Sequence, residues 1–167
     1  MARDVDARTL AYVVVFTGLG LALAPVSFPV GPTRAFPGQH FVNGLAGVLI
    51  GPWALLVALL ISTIRLMLGL GTVFAYPGSL PGALAVALAA YFLRRRGLHA
   101  YAPLAEPLGT LGLGLPLSAY VVAPALGLGQ RFAAGLIPIF AGWAASTAIG
   151  SVAAFLVASA LRKLGRL

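Results

Sequence analysis

Six apolar stretches, parted by glycine- and proline-rich breaks, fill the chain from Leu10 to Leu161, and Arg65 is the single basic residue well inside any of them. Backbone crossing hydrocarbon must satisfy its own N–H and C=O groups, so stretches of this kind fold as helices. Hydrophobic residues make up 60% of the chain and charged residues 8%, where a soluble domain carries about a quarter charged residues. The medium this chain dissolves in is lipid. At about 20 residues per span, its length allows roughly five to seven crossings, one domain over residues 1–167, and excludes a protein of two six-helix halves.

Hydropathy and breakers predict an all-α integral membrane protein with helices at Leu10 to Val26, Gln39 to Ile50, Trp53 to Leu70, Leu80 to Leu93, Leu104 to Ala123 and Leu136 to Leu161. The second and fourth are shorter than a full span, so they extend into loop residues or lie where protein rather than lipid surrounds the backbone. The first has no small-residue cleavage site ahead of a soluble region and reads as a retained span. Six spans place both termini on one face. Arg3, Arg8, Arg94, Arg95, Arg96, Arg162, Lys163 and Arg166 then share that face, against Arg34 and Arg131 opposite, which makes the terminal face cytoplasmic. In "LIGPWAL", Gly51 and Pro52 leave room only for a tight turn between the second and third spans. The outer connections, "SFPVGPTRAFPG", "GLGTVFAYPGSLPG" and "LGLGQRF", are longer and richer in special residues, as binding loops commonly are.

Several function classes fall away. With no cysteine, two histidines and three acids, no metal or thiol chemistry is in sight. A net charge of +8 would point to nucleic acid in a soluble protein, but here the basic residues sit at segment ends and orient the chain. A membrane-embedded enzyme acting on lipid would need paired acids or a Ser/His/acid set inside the spans. Glu106 is alone there, since Asp4 and Asp6 lie in the tail. No internal repeat supports an inverted-repeat transporter core.

The few polar residues each allow two readings. His40 and Asn43, three apart, share a face of the second helix with Gln39 beside it. They either contact a heteroaromatic ligand or bond between helices, with Gln39 capping the helix start; ligand contact is the reading favoured for His40 and Asn43, capping for Gln39. Arg65 either faces a cavity or reaches the outer interface. Phe74, Tyr76, Tyr120, Phe140 and Trp143 fall near the outer level, as interfacial anchors or as a stacking box around a small ring. Glu106 is expected to form an interfacial ion pair with the Arg94 to Arg96 cluster. On the first span Gly18 and Ala22, and Gly20 and Ala24, form small-xxx-small faces suited to a partner helix.

"FPGQHFVNGLAGVLIGPW" at 36–53 and "STIRLMLGLGTVFAYPGSLPGALA" at 62–85, within six spans, resemble the substrate-binding S components of energy-coupling factor (ECF) transporters, and among them the ThiW family. The resemblance covers most of the chain, though residues 100–167 match in pattern only. It implies an S subunit of an ABC-type importer in a prokaryotic cell membrane, capturing a thiamin precursor, the hydroxyethylthiazole moiety, at the outer face. It also implies a transmembrane T component and two ATP-hydrolysing A components as partners, with Gly18, Ala22, Gly20 and Ala24 toward the T component. Gln39, His40, Asn43, Arg65 and Tyr76 to Ser79 match the positions carried over as the binding site. The tryptophan-rich pocket of thiamin-binding S components has no match, which disfavours intact thiamin. The chain has no GxxxxGK[ST] loop, so ATP would be hydrolysed by another subunit, and no cofactor is expected in this one.

Overall fold

The computed structural model describes residues 6–30 and 33–167; Arg3 and Asp4 of the tail, and Gly31 and Pro32 of the first connection, lie outside them. The main helices are α1 (Ala7–Ala22), α2 (Pro37–Ile50), α3 (Ala54–Met67), α4 (Ala75–Arg94), α5 (His99–Ala125) and α7 (Leu136–Lys163), with the short α6 (Gly129–Ala134) between the last two. They occupy the six predicted stretches. Among the described residues, four helical runs are long and apolar enough to cross a membrane: Pro37–Met67, Ala75–Arg94, His99–Ala125 and Leu136–Lys163; α1 is apolar but shorter.

The first of those runs turns back on itself. Gly51 takes a positive φ of 56°, and Gln39 Nε2 donates to Ser62 Oγ at 3.0 Å. In a straight helix those residues would stand about 35 Å apart. The predicted hairpin at Gly51 and Pro52 is therefore present, with limbs of 14 residues, about 21 Å each. Ten of the residues of α2 are buried, because α3, α4, α5 and α7 surround it. This short helix is wrapped by protein rather than lipid.

Several features depart from expectation. α1 starts one turn early, where the Asp6 carboxylate accepts from the Thr9 N–H at 2.7 Å, and ends at Ala22, ahead of the Pro25 that disfavours helical geometry before it. The connection between α1 and α2 contains a small antiparallel ribbon, β1 (Phe28–Val30) with β2 (Thr33–Ala35), pairing Phe28 with Ala35 and Pro29 with Arg34. α4 begins five residues early, so Tyr76 to Ser79 form its first turn instead of a loop. Pro77 is tolerated there, because the first N–H groups of a helix have no internal partner.

Pro81, inside α4, has no N–H to give the Pro77 carbonyl, and α5 closes in on that gap. A Cβ on Gly114 would lie 2.0 Å from Pro77 O, and one on Gly109 2.1 Å from Pro81 O, so the two backbones meet without intervening side chains. Residues five apart share a face only where a helix widens, and Thr110–Gly114 and Ser118–Val122 do form π-helical turns.

The outward surface carries large exposed apolar side chains, among them Val14, Leu59, Met67, Phe92, Leu108, Ile137 and Leu156, far more than a soluble monomer displays. This is a multi-pass membrane protein. Arg8, the Gly51–Pro52 turn, Arg94, His99 and Arg166 line one cavity, while Arg34, the 69–72 loop and Arg131 line another. The start of α1 and the C-terminal segment thus share one end of the bundle, with Arg34 and Arg131 at the other.

Candidate functional site

The cavity at the Arg34 and Arg131 end has a volume of about 620 Å³, within the usual range for a small-molecule site. Phe36 from the end of the ribbon, Gln39 of α2, Arg65 of α3, Phe74, Phe132 of α6 and Trp143 of α7 line it. Its walls are held by specific contacts. The Phe36 N–H donates to Ser146 Oγ at 2.5 Å, the Phe74 and Phe132 rings lie 5.2 Å apart, and Gly78 leaves space for the Trp143 ring edge.

Arg65 is the centre of its polar lining. It is 3% exposed; one guanidinium nitrogen donates to Gln39 Oε1, another to Leu70 O at 3.2 Å, and its Cζ sits 4.3 Å from the centre of the Phe36 ring. Gln39 is in turn held by Ser62, whose hydroxyl reaches Ala75 O at 3.3 Å. Gln39 is thus not the helix cap it was expected to be. Pro37 starts α2 two residues earlier with its pre-set φ, which frees the Gln39 amide to bridge α2 and α3.

His40 and Asn43 do not line the cavity. Asn43 Nδ2 donates to Ser79 Oγ at 3.0 Å, tying α2 to α4. His40 Nδ1 lies 2.5 Å from Glu106 Oε1, which also accepts from Thr110 Oγ1 at 2.9 Å. The ion pair expected between Glu106 and Arg94 to Arg96 is absent. Glu106 is fully buried at the α2–α5 contact, because the 3₁₀ turns at 99–105 that open α5 carry the chain inward from the basic end.

Of the remaining predicted site residues, Phe74 and Trp143 face the cavity, Tyr76 donates to Thr63 Oγ1 at 3.1 Å, and Ser79 is taken up by Asn43. Tyr120 is 81% exposed on the outer surface of α5 and lines neither this cavity nor the one at the opposite end. The sequence reading missed Phe36, Phe132, Arg34 and Arg131. Their signal was an aromatic or a basic residue beside the Gly/Pro breaks of "TRAFPG" and "LGLGQRF". On α1, Gly18 and Ala22 are open to the surroundings. Gly20 is not, since a Cβ there would lie 2.3 Å from Ile61 Cδ1, and Ala24 is buried within the chain.

The cavity at the opposite end is larger, about 1180 Å³, but its polar lining is mostly the basic residues Arg8, Arg94, His99 and Arg166 of the helix ends, set among leucines. Ordered acceptors and paired aromatics converge on the smaller one, which is the candidate ligand site.

No curated protein and no solved structure matches the chain. The family model described as "Thiamine-precursor transporter protein (ThiW)" matches residues 10–164, nearly the whole length. The chain belongs to the ThiW family of thiamine-precursor transporter proteins.

Proposed function

We propose that this chain is the S subunit of an ECF-type importer and that it captures the thiazole precursor of thiamin, the hydroxyethylthiazole moiety, in the cavity between Gln39, Arg65, Phe74 and Trp143. The observation that carries the reading is that cavity: aromatic walls around a volume of small-molecule dimensions, with a fixed guanidinium and amide to orient a ring. All six main helices lie in the membrane, with α1 inclined or helped across by its flanks and the α2–α3 hairpin embedded in the bundle. The basic end, with both termini, faces the cytoplasm of a prokaryotic cell, so the cavity opens where a nutrient arrives. His40, Asn43, Tyr76 and Ser79 hold the helices that frame the cavity. The role is capture and transport, not catalysis. Energy comes from two ATP-hydrolysing A components through a T component, which meets the open Gly18 and Ala22 face of α1.

Calorimetry on purified protein with thiazole derivatives, the pyrimidine precursor and thiamin tests this. Saturable one-to-one heat is expected in the thiazole series. Heat only with the pyrimidine precursor or thiamin would reassign the ligand. Co-purification with T and A subunits tests the assembly, and ligand uptake in cells lacking any such subunits would favour a stand-alone facilitator instead.

A further inference from the structure

Three guanidinium groups border the candidate cavity, Arg34 from β2, Arg65 from α3 and Arg131 from α6, and no carboxylate lines it among the described residues. The chain has only three acids. Asp6 caps α1 and Glu106 is engaged by His40 and Thr110, while Asp4 lies outside the described residues. Arg34 and Arg131 are exposed at the rim, where water screens them. Arg65 is not screened in this way. It is almost completely buried, and its neighbours are dipoles and a ring face: the Gln39 amide, the Leu70 carbonyl and Phe36. Its Nε–H has no hydrogen-bond partner among the described residues. Buried cations in proteins are normally paired with an anion, because dipoles alone recover only part of the lost hydration.

We infer that the ligand supplies that anion: the cavity takes a small heteroaromatic bearing a carboxylate or a phosphate monoester, its ring against Trp143 and the Phe74–Phe132 pair and its charge toward Arg65. The inference deepens the proposed function and rests on that reading of the cavity. Guanidinium groups recognise both kinds of oxyanion with two parallel N–H donors. A neutral thiazole alcohol accepts a hydrogen bond but leaves the charge uncompensated, and thiamin, with its fixed positive charge, is repelled. The rim arginines add a positive field at the entrance that speeds the arrival of an anion and excludes cations.

The test is calorimetry on the full-length protein in nanodiscs of zwitterionic lipid. The probes are the hydroxyethylthiazole alcohol, its phosphate monoester, a thiazole carboxylate and thiamin, at low and raised salt. At least one anionic probe is expected to bind about tenfold or more tighter than the alcohol, with the advantage shrinking as salt rises. Which of the two anions wins identifies the group. In Arg65→Gln the advantage of the anion over the alcohol should collapse. Arg131→Gln, at an exposed position, should fold regardless and lower both the advantage and its salt dependence. If the alcohol or thiamin binds as tightly as both anions, the inference is overturned and the capture role stands. If no thiazole of any charge binds, both are overturned.

Discussion

His40 Nδ1 on α2 and Glu106 Oε1 at the head of α5 lie 2.5 Å apart in a region from which water is excluded, and Thr110 accompanies them one helical turn along α5. Each group is the other's principal partner, so removing one leaves the other buried without compensation. Glu106→Leu should lower stability by about 2–4 kcal/mol, whereas Glu106→Gln, which can still accept from Thr110 and bond His40, should lose less. Thermal unfolding of detergent-purified variants reads this directly. Equal melting temperatures for Glu106→Leu and the parent would show that the pair contributes nothing.

At Gly114 an added methyl group would meet Pro77 O, while nothing lies within 4 Å of a Cβ built on Gly112 of the same helix. Gly114→Ala is therefore expected to cost about 1–3 kcal/mol or more, through forced separation of α4 and α5, and Gly112→Ala to be neutral or slightly stabilising. The comparison is a pair of melting curves. A neutral Gly114→Ala would mean that the backbones do not touch.

Trp143 and Tyr120 separate the cavity wall from the outer surface. Trp143→Ala should weaken thiazole binding by about tenfold or more through lost stacking area, and Tyr120→Ala should leave affinity unchanged because its ring points away from the bundle. Binding isotherms of the two variants check this, and equal losses in both would move the site.

The two glycines of α1 should behave oppositely. Gly18→Leu adds bulk to an open face and is expected to reduce co-purification with a T component while leaving ligand binding intact. Gly20→Leu collides with Ile61 inside the chain and should lower the melting temperature by itself. If Gly18→Leu assembles normally, the partner lies elsewhere.

Hydrogen bonding from Thr9 holds the Asp6 carboxyl below its usual range. A carboxyl depressed on folding stabilises the folded state above its unfolded pKa, and that contribution is lost as pH falls through the lower, folded value. Protection of the Thr9 amide, measured against the intrinsic exchange rate at each pH, should fall as the medium is acidified into that interval, and Asp6→Ala should lack that protection throughout.

The helical stretches were legible because hydrocarbon imposes one rule on every apolar segment, and the hairpin because Gly51 followed by Pro52 permits little else. Other features depend on neighbours remote in sequence. The early start of α4 required reading Pro77 as a first-turn residue instead of a breaker, and the ribbon of 28–35 is too short to show alternation. Glu106 looked interfacial because Arg94 to Arg96 precede it closely, yet its partner His40 is 66 residues away. Of the residues that line the candidate cavity, Gln39, Arg65, Phe74 and Trp143 were identifiable as rare polar or aromatic residues near the Gly/Pro breaks. His40 and Asn43 have the same signature, and only packing sends them into helix–helix bonds.

The five-residue interval between Gly109 and Gly114 works as a vernier. Sliding α5 along α4 by a single position would bring a side chain such as that of Leu115 or Leu113 onto the Pro77 carbonyl, so intermediate registers are blocked by volume alone. The two helices consequently behave as one plank. Apart from α2, α3 and the first turn of α4, the candidate cavity is bordered by α6, the head of α7 and the 69–72 loop, so an opening for the proposed ligand is expected along those walls.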